Sequence, residues 1–136
     1  MIKQKEYLNQ PVLTIASKNF ITLNENFTIQ QALDDIRLRK VGDRIVYFYV
    51  VDSDDCLVGV VPTRQLLTAP LASHLSQVMI GQVMTIPRDA TISEAWVLFT
   101  KHKFLAFPIV DEQQHIKGVV DVGQLKDVVF NLEKKR

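Results

Sequence analysis

A chain of 136 residues that is 47% apolar and 23% charged has an ordinary globular balance, with room for one core or two small ones. A net charge of +1 leaves no strongly basic surface to hold nucleic acid, and a lone Cys56 excludes an internal disulfide and points to a reducing compartment. The longest strongly apolar run, Ile45 to Val51, is far short of the roughly 20 residues a membrane span needs. Met1 is followed by Lys3, Gln4, Lys5 and Glu6 rather than by an apolar leader, so we expect a cytoplasmic protein without direct membrane insertion.

After an N-terminal extension (residues 1–10), Pro11 to Ala16 reads as a short turn or helix and Phe20 to Leu23 as a strand. Thr28 sits just ahead of Ile29, Ala32, Leu33 and Ile36, whose i, i+3, i+4, i+7 spacing is one stripe of a capped helix. A connection around Arg39 to Arg44 leads into a hairpin, Val46–Val51 and Leu57–Val61, across the turn Asp52-Ser53-Asp54-Asp55. A helix at Thr63 to Thr68 and a linker at Ala69 to Ser73 follow. The series then repeats. A turn or helix at His74 to Met79 and a strand at Gln82 to Ile86 precede a second stripe, Ile92, Ala95, Trp96 and Phe99, behind Thr91. A connection at His102 to Ala106 leads to the hairpin Phe107–Val110 and Ile116–Val120, then to a closing helix at Val122 to Leu132.

The repetition is literal. Thr28-Ile29-Gln30-Gln31-Ala32-Leu33 recurs as Thr91-Ile92-Ser93-Glu94-Ala95-Trp96 at an offset of 63, and Leu57-Val58-Gly59-Val60-Val61 recurs as Ile116-Lys117-Gly118-Val119-Val120 at an offset of 59. The change of offset falls in the loop between first helix and hairpin, where insertions are tolerated best. The chain therefore reads as two copies of one module, residues 11–70 and 71–132, with a tail at 133–136. Clefts between repeats are natural places for a ligand. The hairpin strands are near-continuous apolar runs, which predicts an α+β fold whose sheets are covered on both faces.

The order β-α-β-β-α, twice, resembles the tandem cystathionine-β-synthase (CBS) domain pair, the Bateman module. The resemblance is carried by Phe27-Thr28-Ile29-Gln30-Gln31-Ala32, Tyr49-Val50-Val51-Asp52 and Leu57-Val58-Gly59-Val60-Val61 in the first half. In the second half Ala90-Thr91-Ile92-Ser93-Glu94-Ala95, Phe107-Pro108-Ile109-Val110-Asp111 and Ile116-Lys117-Gly118-Val119-Val120 carry it. The first hairpin looks like the CBS region of MgtE-type magnesium transporters, since Tyr49 stands where the second half has Pro108. The resemblance implies two repeats packed through their sheets around a pseudo-twofold axis and a homodimer joined through helices. It also implies an adenosyl small molecule (AMP, ADP, ATP or a relative) as ligand and a membrane transporter as partner.

On that resemblance the ligand residues of the first repeat are Thr22, Leu23, Tyr49, Pro62, Thr63, Arg64 and Gln65. Those of the second are Thr85, Ile86, Phe107, Pro108, Asp121 and Gln124. The family places a Thr or Ser after the last strand and an Asp three residues later, because a carboxylate accepts two charge-assisted bonds from a ribose and free helix amides suit a phosphate. Here the Thr/Ser place holds Pro62 and Asp121, and the Asp place holds Gln65 and Gln124. Losing the carboxylate costs about 1.5–3 kcal/mol. Any nucleotide should therefore bind weakly, and better beside Arg64 than beside Asp121.

Asp52, Asp54 and Asp55 could supply oxygen ligands to magnesium or calcium, but their spacing is not that of an EF-hand and aspartates are ordinary turn residues; we assign no metal site. His74, His102 and His115 are scattered, and Cys56 reads as a structural thiol in a strand. Trp96 belongs to the core stripe or a dimer contact. Gly59 and Gly118, inside strands, permit a close approach by backbone or by ligand. No catalytic constellation appears. The expectation is a regulatory ligand-sensing module and not an enzyme; a cation-sensing domain of magnesium transport and a ligand-free dimerisation module are its alternatives.

Overall fold

The computed structural model describes residues 7–39, 47–102 and 104–134, the last four by backbone only. The expected connection at residues 40–44 and the start of the first hairpin at Val46 lie outside the described residues. The chain forms two units, each around its own three-stranded sheet.

The first-sheet unit comprises Asn19–Val83 with Gln113–His115. It contains strand β1 (Thr22–Asn24), helix α1 (Ile29–Leu38), strands β2 (Tyr47–Val51) and β3 (Leu57–Pro62), helix α2 (Thr63–Thr68) and the one-turn helix α3 (Leu75–Val78). β1 runs parallel to β2, and β2 antiparallel to β3. α1 starts where the sequence predicts. Thr28 Oγ1 accepts from the Gln31 amide at 3.1 Å, and Gln31 Oε1 accepts from the Thr28 amide at 2.9 Å, a reciprocal cap that satisfies two otherwise free donors. Its stripe buries Ile29 and Ala32 completely, with Leu33 and Ile36 against the same core of Ile21, Leu23, Phe48, Val50, Val61, Leu66 and Leu75. The aspartate turn is tied by its own first carboxylate. Asp52 Oδ1 accepts from the amides of Asp54 (2.9 Å) and Cys56 (3.0 Å), while Asp55 takes a left-handed φ of 63°.

The second-sheet unit comprises Met1–Lys18, Met84–Glu112 and Ile116–Arg136. It opens with a 310 turn (Val12–Ile15) and continues through β4 (Ile86–Pro87), α4 (Ile92–Lys101), β5 (Ala106–Val110), β6 (Ile116–Asp121) and α5 (Val122–Lys134). Its sheet has the same order and directions. α4 repeats the cap of α1 with Thr91 and Glu94, at 3.1 and 3.0 Å. The core repeats too, with Val12, Ile86, Ile92, Ala95, Phe107, Ile109, Val120 and Leu125. Even the irregularities correspond. The hairpins bulge at Val50/Val51 and Ile109/Val110, and Gln114 has a φ of 68° at the place of Asp55.

Most boundaries fall within two residues of the reading of the sequence, and three differences bear on the site. β1 begins at Thr22 rather than Phe20. β4 shrinks to two residues, Ile86–Pro87, instead of spanning Gln82 to Ile86. Pro108 accounts for the one pair by which β4 is shorter than β1. In the first sheet the Tyr49 amide donates to the Ile21 carbonyl at 3.1 Å, and Pro108, at the matching place, has no amide to offer. Cys56 precedes β3 rather than lying within it, half-buried, with Sγ 3.3 Å from the Gln113 carbonyl.

The packing units are cut differently from the sequence repeats. The 310 turn that leads the first repeat packs in the second-sheet core, where Val12 is fully buried and its amide donates to Ala90 O at 2.8 Å. α3, which leads the second repeat, packs in the first-sheet core, where Leu75 is fully buried and donates to Phe27 O at 2.8 Å. Each leading segment then joins the outer edge of a sheet. Ile80 exchanges two backbone bonds with Val60 (2.9 and 3.0 Å), and Ser17 two with Val119 (2.8 and 2.9 Å). Gly59 and Gly118 make the crossings possible. A Cβ on Gly118 would lie 3.0 Å from Ala16 Cβ and 3.3 Å from Ser17 O, and one on Gly59 would meet the Met79 side chain and sit 3.1 Å from Ile80 O. Leu75→Ala, which empties the anchor of one leading segment, should destabilise the chain by about 2–5 kcal/mol. A denaturant midpoint unchanged from the parent would show that this segment is not part of the first-sheet core.

Candidate ligand sites at the two strand-helix corners

In the first-sheet unit the candidate residues separate by face. Thr22 and Tyr49 are direct partners across β1 and β2, and Tyr49 is paired in turn with Val60 of β3. Leu23 alternates to the opposite face and lies in the core, 1% exposed. Pro62 ends β3 and precedes α2 without any side-chain cap. Thr63 and Arg64 are exposed and Gln65 is half-buried.

Tyr49 is the unusual member of this group. It is 2% exposed, and among the described residues its hydroxyl has no hydrogen-bond partner. It stands outside the hydrophobic cluster that its neighbours Phe48 and Val50 join. Burial, with a smaller contribution from Tyr47, drives its phenol further above the ordinary tyrosine range, so the group is a neutral O–H that can donate one bond and accept others.

The second-sheet unit buries Ile86 and Phe107 as the first buries their counterparts Leu23 and Phe48, and differs at Pro108 and at the strand-helix corner. Ile86 and Phe107 are buried core, with Phe107 edge-on to Phe99 at 4.5 Å and to Phe104 at 5.6 Å. Thr85 is half-buried just before β4, and Pro108 is buried within β5. Asp121 and Gln124 hold each other. Asp121 Oδ1 accepts from the Gln124 amide at 2.6 Å, and Gln124 Oε1 accepts from the Asp121 amide at 3.1 Å. The first amide of α5, on Val122, donates to the Leu105 carbonyl at 2.9 Å. Reading the sequence passed over Leu105, because nothing in a loop marks which backbone carbonyl will turn toward a helix start.

The remaining candidates are structural. His115 Nε2 lies 3.0 Å from the Asp54 carbonyl, and His74 precedes α3, its amide donating to Gln77 Oε1 at 2.9 Å. Among the described residues, no group of three or more His, Cys, Asp or Glu side chains is placed to hold a metal ion. No helix among the described residues is long and apolar enough to cross a membrane.

Comparison with known proteins places this architecture. The CBS domain model matches the chain twice, over residues 12–72 and 75–131. The magnesium transporter MgtE of Thermus thermophilus is 27% identical over 116 residues, 85% of this chain and 26% of the transporter. The inosine-5'-monophosphate dehydrogenase of Thermoplasma acidophilum is 34% identical over 116 residues, 85% of this chain and 22% of the enzyme. The chain thus spans about a quarter of the length of these curated relatives. Among solved structures, the cytosolic domain of the Mg2+ channel MgtE in complex with ATP superposes with a TM-score of 0.81 at 25% identity, covering 92% of this chain and 51% of that one. Two matched copies, two like sheets and this superposition agree: the chain belongs to the CBS domain family and is a CBS pair.

Proposed function

We propose that this CBS pair is a cytoplasmic regulatory module, with repeats at 11–70 and 71–132, that takes an adenine nucleotide weakly at the corner built by Thr22, Tyr49, Pro62, Thr63, Arg64 and Gln65. The observation that carries the reading is Tyr49. A fully buried hydroxyl without a partner costs about 1–3 kcal/mol, and a nucleotide offers ring nitrogens and ribose oxygens that would recover it. Arg64 supplies a guanidinium whose fork suits phosphate oxygens. Gln65, neutral where the family has a carboxylate, keeps the affinity low. The MgtE cytosolic domain, solved in complex with ATP, supports an adenine ligand. Such a ligand regulates by binding one conformer better than another and shifting the population toward it. Nothing in the residue set supports catalysis. The match to the dehydrogenase takes in only 22% of that enzyme's length.

Calorimetry with AMP, ADP and ATP tests the site. We expect affinities weaker than micromolar and a tenfold to hundredfold loss in Arg64→Ala, the range of one charge-assisted contact. Tyr49→Phe separates the two roles of the hydroxyl. It should leave the ligand-free protein as stable or more stable, while weakening the nucleotide by about two- to tenfold. Submicromolar binding indifferent to Arg64→Ala, or a Tyr49→Phe protein that is less stable without ligand, would overturn the site.

The MgtE relatives favour a second reading, a cation-sensing domain tied to magnesium transport. Thermal stabilisation by millimolar magnesium and by none of the nucleotides would select it. A protein stabilised by neither would be a dimerisation module alone.

We further propose a homodimer through the helices of the second-sheet unit. Trp96 and Phe130 meet edge-on at 6.4 Å, and Phe130 and Val97 remain 48% and 46% exposed. That is an apolar face on α4 and α5 of the kind a second copy covers. Light scattering at micromolar concentration should return the mass of two chains, and Phe130→Glu should return one. A parent protein that is monomeric under these conditions would reject the dimer.

A further inference from the structure

We infer that Met79 is a modification site: its thioether, seated against Gly59 where the chain crosses β3, is oxidised by a peroxide, and the sulfoxide loosens the segment that covers this sheet edge. The inference is independent of any ligand at the strand-helix corners.

The crossing at Ile80 is close because Gly59 has no side chain. A Cβ there would collide with Met79 Sδ, lie 2.9 Å from Met79 Cγ and sit 3.1 Å from the Ile80 carbonyl oxygen. The sulfur therefore fills the notch that glycine leaves in β3. Met79 is half-buried, packs against the first-sheet core and donates its amide to Leu75 O at 2.9 Å. Ile80 beside it is 48% exposed, so the crossing lies at the surface, within reach of a small oxidant. The matching crossing in the second-sheet unit is built from other atoms. Gly118 faces Ala16 Cβ, Leu13 Cδ1 and the Ser17 carbonyl, none of which a peroxide attacks. One framework thus carries an oxidisable contact in one copy and an inert one in the other.

The step balances simply. A lone pair of Met79 Sδ attacks one oxygen of hydrogen peroxide; the S–O bond forms as the O–O bond breaks. Sulfur gives up two electrons, and the second oxygen takes the remaining proton and leaves as water. The product is a polar, chiral acceptor in place of a flexible apolar side chain. It adds an oxygen to a filled notch, beside an Ile80 carbonyl that already accepts from the Val60 amide at 3.0 Å. A buried acceptor without a donor is unfavourable. Lifting Met79 and Ile80 off β3 relieves it and opens the edge at Val60 to water or to another strand. Sulfoxide reductases reverse the change, which makes it a switch rather than damage.

The test treats the full chain with millimolar hydrogen peroxide and follows peptide masses, melting temperature and amide hydrogen exchange. We expect one added oxygen on Met79 and a melting temperature lower by about 3–10 °C. The Ile80 and Val60 amides should exchange about tenfold faster or more, while those of Ser17 and Val119 keep their rates. A mixture of the two methionine sulfoxide reductases should restore all three readouts. Met79→Leu, which conserves volume, keeps Cys56 and Met84 and so reports their oxidation alone; peroxide should leave its melting temperature and exchange rates unchanged. Met84→Leu should respond as the parent does, and it decides the matter if Met79→Leu does not fold. Peroxide that spares Met79, a Met79 sulfoxide that leaves Ile80 and Val60 protected, or a Met79→Leu protein that loses as much as the parent would overturn the inference.

Discussion

The structure depends on two backbone crossings. Ile80 lies along the edge of β3 at Val60, and Ser17 along the edge of β6 at Val119, each through a reciprocal pair of hydrogen bonds. A free sheet edge is a row of unsatisfied donors and acceptors. Each leading segment covers one and drops an aliphatic anchor, Leu75 or Val12, fully into the core beneath. Gly59 and Gly118 are the condition for this, because any side chain at either place would meet the crossing segment. Each module is thereby completed by chain from outside its own β-α-β-β-α order.

The same scaffold then carries two unlike corners. Both end a strand at the start of a helix, and both hold glutamine three residues on. Asp121 turns one of them inward, spending its carboxylate on the Gln124 amide, whereas Pro62 has no side-chain acceptor to give. Tyr49 and Pro108 divide the sheets in a similar way. Pro108 removes an amide and shortens β4, while Tyr49 keeps the amide, lengthens the ladder and brings a hydroxyl into a buried place. The two copies share one framework, and a handful of different residues at equivalent places give each copy its own hydrogen bonding.

The chain matches about a quarter of a transporter and less than a quarter of a dehydrogenase. The part common to such different relatives is the CBS pair, for which we propose a role in binding and shape. A weak ligand is physically sufficient for such a role. Regulation requires a difference in affinity between conformers, not a large affinity for either.

The sequence by itself determined the elements, their order and their duplication. Those are local matters: a threonine followed by a 3.6-residue apolar stripe, aspartates in a turn, β-branched runs around a glycine. The caps of α1 and α4 and the burial of both stripes follow from spacing that Thr28, Thr91 and the residues behind them display openly. What only the tertiary structure decided is which side chain is left without a partner and which carbonyl takes which amide. The bond from Val122 to Leu105, the closure of Asp121 on Gln124 and the solitary hydroxyl of Tyr49 depend on where chain segments arrive in space, and a linear pattern does not encode those meetings. The assignment of the 310 turn and of α3 to their sheets is of the same kind, because a short apolar segment reads identically whichever core it enters.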